Sequence, residues 1–250
     1  MSWAEIKSAL NSSVGTSNHK PINELIEEEG YRSIYNNALT LKECQLDSIA
    51  PMQFFRYKGY DSTSSYLDLV DESSKILFLE NGFKKIRENF CSGNHNVISA
   101  HLPPSIVEIG YEAFADCGFL ENVNIPSGVK RIGQHAFAYV PIKSLMLGNK
   151  IEVVSDAAFS YNNKITTAVI DATASNSLSL GSNIFAFCSY LERVYIFARP
   201  GAEISISPYA FSNCDNLVDI YVSWGYGEVA GAPWGGSGDV TMHHNVKEVG

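Results

Sequence analysis

The 250-residue chain is poor in positive charge. It has 18 Lys and Arg against 27 Asp and Glu, a net charge of −9, and no run of Lys and Arg longer than two. A surface that follows nucleic-acid phosphates needs a basic patch or stripe. The composition therefore excludes nucleic acid as the expected partner.

The chain also lacks long apolar runs. No stretch has the roughly 20 apolar residues that a transmembrane helix requires. The opening residues Met1 to Ile6 lack the basic segment and apolar run of a secretory signal. We expect a product with no membrane span that is cytoplasmic at synthesis.

Cysteine is scarce and odd in number, with five residues at Cys44, Cys91, Cys117, Cys188 and Cys214. An odd count, with three of the five at one position of a repeat, fits buried reduced thiols better than a disulfide framework. The alternative is that Cys188 and Cys214, on neighbouring turns of the chain, lie close enough for a disulfide.

Motifs for chemistry are missing. There is no phosphate-binding loop, dinucleotide fingerprint or nucleophile elbow. His243 and His244 are adjacent, so on a strand they point to opposite faces and make a poor metal pair. Asp68 and Asp71 fall in a turn-rich segment, where we expect solvent-facing side chains. The sequence predicts no enzyme, no cofactor and no metal.

What the chain does have is a repeat. Its steps of 24, 23, 22, 26 and 26 residues are the period of a solenoid, in which each coil stacks on the one before. The repeat is marked by a phenylalanine that returns six times, at Phe90, Phe114, Phe137, Phe159, Phe185 and Phe211.

Each repeat begins with a short strand pattern. Apolar and polar residues alternate over 123–125, a turn follows, and a second apolar pair lies at Val129 and Ile132. A coil this short has no room for a strand and a long helix, so the far side should be a short strand or a 3₁₀ turn. The predicted fold is a β-rich solenoid.

Stacking the coils predicts continuous interior rows. Two coils carry extra residues, 172–177 and 198–202, which we expect in turns at one edge, either as a place where partners meet or as tolerated decoration. The rows are Phe114, Phe137, Phe159, Phe185 and Phe211; Leu120, Ile142, Ile165, Leu191 and Leu217; and Cys117, Val140, Asn162, Cys188 and Cys214.

The repeats occupy residues 76–222 and have distinct flanks. Residues 1–30 predict two short helices, the first with a Ser2 capping box and the second opened by Pro21. Short helices are marginal alone, so these dock either on their own domain or on another subunit, which would make a homo-oligomer.

Residues 31–75 predict an N-terminal cap or a degenerate first coil. Within them, 54–57 and 66–69 have the pattern of short strands around a turn at 59–62. Residues 223–250 predict a C-terminal cap in which Trp224 and Trp234 cover the last coil, because a solenoid must close its open ends. The alternative for the two tryptophans is an aromatic binding platform.

The repeat unit resembles the BspA-like leucine-rich repeat family. The resemblance rests on Ile109, Gly110, Ala113, Phe114, Cys117, Leu120, Val123, Ile125, Pro126 and Val129, and on Ile132, Gly133, Ala136 and Phe137. It implies a right-handed leucine-rich-repeat superhelix. Departures are Ser155 at the glycine position, Asn162 at the cysteine position and a residue missing before Phe90. Members of this family are typically bacterial surface or secreted proteins that bind host proteins, and others are carried by phages. The segments at 2–7, 21–26 and 231–235 look like those of prophage-encoded, tail-associated members. The resemblance therefore implies a protein that is either virion-associated or displayed at a cell surface.

We expect binding on the concave strand face. Between the two buried residues of each strand lies one that points outward, and this column is rich in aromatic and apolar groups, while Tyr and Arg are typical of interaction hot spots. A solvent face that simply favours β-forming residues is the alternative. The predicted binding residues are Phe78, His101, Asn124, Met146, Val169, Arg193, Tyr195 and Tyr221.

Three functions follow as hypotheses. The first is a non-enzymatic leucine-rich-repeat module, phage or prophage associated, that binds protein or glycan through this face. The second is a bacterial adhesin that binds host proteins. The third is a carbohydrate-active β-solenoid, which needs clustered acids on one strand face. Asp219 is the only acidic residue among the outward-facing strand positions. This counts against the third hypothesis.

Overall fold

A computed structural model describes residues 54–57, 76–79, 84–236 and 239–246, and shows a β-solenoid of about six turns. Every strand pair in the described residues is parallel and joins neighbouring coils. The described residues contain no helix, and so none that could cross a membrane. The predicted N-terminal helices and the strand at 66–69 lie outside the described residues.

The strands form three sheets on two sides of the coil. A four-stranded sheet contains β1 (Phe54–Tyr57), β2 (Ile76–Leu79), β4 (Ser99–His101) and β6 (Asn122–Asn124). A five-stranded sheet continues the same side with β8 (Leu145–Leu147), β10 (Thr167–Ala172), β12 (Arg193–Ala198), β14 (Asp219–Val222) and β15 (Thr241–His243). The other side is a six-stranded sheet of β3 (Lys85–Ile86), β5 (Glu108–Ile109), β7 (Arg131–Ile132), β9 (Val153–Val154), β11 (Ser177–Leu180) and β13 (Glu203–Ile206).

The first side is divided between β6 and β8 because the turn before β8 is one residue short. Here the Ile142 N–H donates to the Val140 carbonyl at 2.9 Å, whereas in the preceding coil Leu120 reaches three residues back to Cys117. Pro141, in the middle of the short turn, has no N–H to donate. The coil after this turn is therefore not hydrogen-bonded to β6 as a strand.

The core is a stack of phenylalanines, as predicted. Rings from Phe114 to Phe211 are fully buried, with centroids of successive rings 5.2 to 5.7 Å apart and planes within 16° of parallel. The second predicted row, Leu120 to Leu217, is buried as well. Neighbouring coils thus bury one another's apolar faces, which is the dominant stabilising contribution in such a repeat.

The first phenylalanine departs from the predicted register. The Cys91 N–H donates to the Ala113 carbonyl and the Phe114 N–H to Ala136, so Cys91, and not Phe90, occupies the place of Phe114. Phe90 is buried one residue earlier and meets Phe114 edge-on, at 6.0 Å and 69°. The small cysteine is at the phenylalanine position, and the neighbouring aromatic ring contacts the stack from the side.

The third side of the coil is a turn edge held by its own hydrogen-bond ladder. In five successive turns, from 89–93 to 183–187, three alternate residues donate to the next coil; in one of these turns they are Glu112, Phe114 and Asp116. The outer two of the three have positive φ, 48° at Glu112 and 55° at Asp116. This alternation points every second N–H along the solenoid and turns the residue between them, Phe114, inward.

The cysteine row bonds backbone carbonyls. The Cys117 thiol donates to the Cys91 carbonyl at 2.9 Å, Cys188 to Phe159 at 3.2 Å and Cys214 to Phe185 at 2.9 Å. Asn162, the departure noted in the sequence, donates its amide to Phe137 at 2.7 Å in the same way. The row therefore supplies a donor to the preceding coil, and Val140 is the member that has none.

Burial should make these thiols unreactive. All four described cysteines are buried and free of disulfides. Burial raises the pKa of Cys188 well above its ordinary value and that of Cys214 to about 12. Because the thiolate is the reactive form, a Cys44→Ser variant at about pH 8 should react with a thiol reagent only after denaturation, when four thiols appear. A thiol that reacts rapidly in the folded protein would contradict this packing.

The two insertions lengthen strands as well as turns. Residues Asp171 and Ala172 pair with Phe197 and Ala198, so the extra residues extend β10 and β12 by the same amount. Turns at 173–176 and 199–202 then lead into the longer β11 and β13. Matched insertions in neighbouring coils keep the ladder in register.

The ends continue the ladder. β1 pairs in parallel with β2 at a step of 22 residues, so it is the strand of an earlier coil. At the other end Trp234 is fully buried, accepts the Phe211 N–H at its carbonyl, and packs its ring 6.5 Å from Phe211. Trp224 is buried beside it. Both tryptophan rings are therefore buried at this end of the described solenoid, and neither is an exposed aromatic surface.

Candidate interaction site

An aromatic ladder lies on the side of the solenoid that carries the four-stranded and five-stranded sheets. We call the outward side of β4, β6, β8, β10, β12, β14 and β15 the strand face. Tyr195 and Tyr221 stack with centroids 4.5 Å apart and planes 8° from parallel. His243 continues the stack from Tyr221 at 4.2 Å and 9°. All three side chains are half-buried.

Strand register builds this ladder. Tyr195 pairs with Tyr221 in the β12–β14 ladder, and Tyr221 pairs with His243 in the β14–β15 ladder. Directly opposed positions on parallel strands place their side chains on the same face. The buried neighbours on each strand, Val194 and Ile196 around Tyr195, hold that strand to the core. The rings are therefore presented from rigid backbone.

Charged groups border the ladder. The His243 Nε2 lies 2.8 Å from the Asp219 carboxylate, which fixes the imidazole against Tyr221. Arg193, next to Tyr195 on the same face, has its guanidinium 3.8 Å from Glu192 and remains about half exposed. Loss of surrounding water and the Asp219 carboxylate raise the pKa of Tyr221 above its ordinary value. The site offers aromatic edges, a guanidinium and phenol hydroxyls together.

The apolar part of the site extends toward β8. Val169 pairs with Tyr195 on one side and with Met146 on the other. The Met146 side chain is 70% exposed, the highest exposure of any described large hydrophobic residue on this face. An exposed, flexible thioether next to aromatic rings is typical of binding surfaces that adapt to a partner.

The N-terminal part of the predicted column is not available. His101 is 4% exposed and Ser99, on the same side of β4, is also 4% exposed. The Asn124 side chain bonds Leu102, the residue that follows β4 in the preceding coil. Its amide oxygen accepts the Leu102 N–H and its amide nitrogen donates to the Leu102 carbonyl, both at 3.1 Å. His101 is therefore buried on this side of β4, and Asn124 ties two coils together. Phe78 lies in β2, but its side chain is not among those described.

The sequence analysis missed His243. Its spacing of 22 residues from Tyr221 is a repeat step, and this signal places it in the same column. The adjacent pair His243 and His244 suggests a solvated terminus, and the repeat pattern is lost in the intervening Gly-rich cap. The rest of the predicted set, Met146, Val169, Arg193, Tyr195 and Tyr221, is brought together on one face.

An ion cluster spans three coils, just before the strands β6, β8 and β10 begin. Lys143 and Lys164 each donate to the Glu121 carboxylate, at 2.7 and 2.6 Å. These two hydrogen bonds lower the pKa of Glu121 to about 2. Both lysines are thereby engaged within the protein. In the described ranges no three His, Cys, Asp or Glu side chains gather in a way that could hold a metal ion.

Two solved structures share this architecture. A leucine-rich repeat protein of T. pallidum matches over 59% of this chain and 72% of its own, with 22% identity and a TM-score of 0.50. The pneumococcal vaccine antigen PcpA matches over 78% of this chain with 17% identity and a TM-score of 0.57, and this chain spans only 45% of it. At these identities the likeness concerns the fold. No curated protein sequence matches the chain.

The family follows from the repeats themselves. The profile of the BspA type leucine rich repeat region matches residues 84–218, more than half of the chain, in six copies. The chain belongs to the BspA-type leucine-rich repeat family. The matched range coincides with the stacked coils of this BspA-type protein, from the residue before β3 to the residue before β14.

Proposed function

We propose that this BspA-type protein is a non-enzymatic interaction module that binds a protein partner through the strand face, centred on Tyr195, Tyr221 and His243. The observation that carries the proposal is the stacked, half-exposed ladder beside Arg193 and the exposed Met146. Aromatic residues and arginine at the centre of a patch are the residues that most often dominate binding energy. The rigid strands lower the entropy cost of binding.

A protein partner fits this face better than a glycan. The rings stack face to face, so Tyr221 has Tyr195 on one side and His243 on the other. A sugar would need an open ring face, whereas the ladder presents ring edges and hydroxyls. Edges and hydroxyls pack against side chains and backbone carbonyls of another protein.

The partner is identified by crosslinking from the face itself. A photoreactive amino acid at Met146 captures a contacting protein, and the same residue at Tyr209, which is 62% exposed on the turn edge, reports background. A protein captured from both positions is discarded. The protein captured from Met146 alone is purified for affinity measurements.

Affinity for that partner should depend on the ladder. A Tyr195→Ser, Tyr221→Ser double variant should bind at least about 30-fold more weakly, because each hot-spot side chain is worth about 2 kcal/mol or more. Titration calorimetry measures the change, with Tyr209→Ser on the turn edge as the control. Circular dichroism and the unfolding midpoint show that the solenoid is intact. Equal affinity of the folded double variant and the parent protein would remove the site.

The place of action is part of the proposal and rests on the sequence resemblance alone. The resemblance of the repeat and flanking segments suggests either a phage particle or a bacterial cell surface, where the module would act as an adhesin. Neighbouring genes for tail or lysis proteins would favour the phage; an export signal in the native reading frame would favour the adhesin.

A further inference from the structure

A second aromatic stack lies on the turn edge, away from the strand face. Tyr139 and Tyr161 stack at 4.4 Å and 9°, and Tyr161 and Phe187 at 4.6 Å and 12°. Tyr139 is 52% exposed and Phe187 43% exposed. The interior of the same coils is already filled by the buried stack of Phe137, Phe159 and Phe185, so the outer rings do not close the core.

The backbone under this outer stack is unfavourable for large side chains. Tyr139, Tyr161 and Phe187 have φ of 60°, 59° and 62°. Left-handed backbone favours Gly, Asn and Asp. The equivalent residues in the flanking coils are of that kind, Asp116 with φ of 55° and Asn213 with φ of 59°. Three neighbouring coils thus place rings where the backbone itself favours small polar residues.

The two ends of the stack differ in charge. Tyr161 is covered on both faces, so only the outer faces of Tyr139 and Phe187 lack a stacked ring. The outer face of Tyr139 is directed toward the coil of Asp116, and that of Phe187 toward the coil of Asn213. The side chain of Asp116 is 64% exposed, and the His95 Nε2 lies 3.9 Å from its carboxylate, beyond hydrogen-bond distance.

Asp116 acts electrically on the ring beside it. Loss of surrounding water, the phenol of Tyr161 and the Asp116 carboxylate all raise the pKa of Tyr139. Asp116 and Tyr139 are equivalent residues of neighbouring coils, and the Asp116 N–H donates to the carbonyl of Ala138, the residue before Tyr139, at 2.8 Å. The carboxylate therefore lies on the side of the Tyr139 ring that has no stacked ring. We call this pair, Asp116 and Tyr139, the acidic notch. In the same turn as Asp116, Phe119 is 58% exposed.

We propose that the acidic notch binds an arginine side chain of a protein partner, at a second interaction surface independent of the strand face. A guanidinium is planar, stacks on a tyrosine face and directs a fork of N–H donors at a carboxylate. Lysine offers a strongly hydrated point charge and uses only part of this arrangement. The single open face admits one planar cation and does not suit a run of sugar rings.

The test uses a labelled peptide of alternating glycine and arginine. Its affinity for Asp116→Asn and for Tyr139→Asn should fall about tenfold each, and asparagine preserves the left-handed backbone at both positions. Phe187→Asn removes the ring at the other end of the outer stack, which is next to Asn213 and not next to a carboxylate. This variant should leave affinity unchanged. Asp239→Asn removes an equal charge elsewhere and should also have no effect. The same peptide with citrulline should not bind, and with lysine should bind more weakly.

Direct evidence comes from proton shifts. Arginine side-chain protons stacked on Tyr139 should move upfield in the complex with the parent protein and not in the complex with Tyr139→Asn. Asn213→Asp should create a matching notch beside Phe187 and raise the stoichiometry from one to two. The proposal is overturned if all the variants bind alike, if Asp239→Asn weakens binding as much as Asp116→Asn, or if the citrulline peptide binds equally.

Discussion

Replacing Phe137 by alanine should destabilise the protein by about 3–5 kcal/mol. Phe137 is fully buried and sits in the middle of the phenylalanine stack, 5.2 Å from Phe114 and 5.4 Å from Phe159. Truncation removes two ring contacts and leaves a cavity. The coils cannot close this cavity, because their spacing is fixed by the hydrogen bonds of the turn edge and of the six-stranded sheet, even where β6 and β8 do not pair. Urea unfolding monitored by circular dichroism measures the loss.

Phe119 provides a control for this change. It is one coil away and 58% exposed, so Phe119→Ala should cost less than about 1 kcal/mol. In a linear repeat each coil contacts only its neighbours, and a weak middle coil should also broaden or split the transition of Phe137→Ala. Equal destabilisation by the two variants would mean that the stack is not the core of the solenoid.

Replacing Gly133 by alanine should destabilise the protein by about 1–3 kcal/mol, the usual range for overpacking. A Cβ added at Gly133 would lie 2.6 Å from the carbonyl carbon of Gly110 and 2.7 Å from the Tyr111 nitrogen. These are backbone atoms of the preceding coil, and they are held by the hydrogen bond from the Gly133 N–H to Ile109. The coils must separate locally to accept one methyl group.

Gly118→Ala is the matched control. There the added Cβ meets only the His95 ring, at 3.3 Å, and an exposed side chain can rotate away. Its effect on the free energy of unfolding should lie within about 0.5 kcal/mol. Thermal unfolding of the two variants under the same conditions makes the comparison. A Gly133→Ala protein as stable as Gly118→Ala would show that the coils are not in close backbone contact.

Much of the interior could be predicted from the sequence because a solenoid converts sequence period directly into spatial stacking. Phe114 and Phe137 are 23 residues apart and adjacent in space for the same reason that Leu120 and Ile142 are. Alternation along the strands placed Tyr195 and Tyr221 outward, and the structure has both half-exposed. The four described cysteines, which were predicted to pack as reduced thiols, are buried and free of disulfides.

The candidate site was predicted only in part. His101 follows the same alternation as Tyr195 yet is buried, since alternation says which side of a strand a residue lies on and not what covers that side. His243 joins the ladder although the repeat pattern is lost in the chain before it. Both outcomes depend on neighbouring coils, which a single repeat does not specify.

By itself the sequence determined the period, the interior rows and the family, because hydrophobic spacing and the Ala-Phe step are properties of each repeat alone. Tertiary structure decided which register the first coil takes at Cys91, where the sheet divides at Pro141, and how His243 completes the aromatic ladder. These features arise from hydrogen bonds and ring contacts between coils, whose balance is set only when the coils are stacked. The acidic notch also arises from stacking, since Asp116 and Tyr139 belong to adjacent coils and lie side by side only when those coils are stacked.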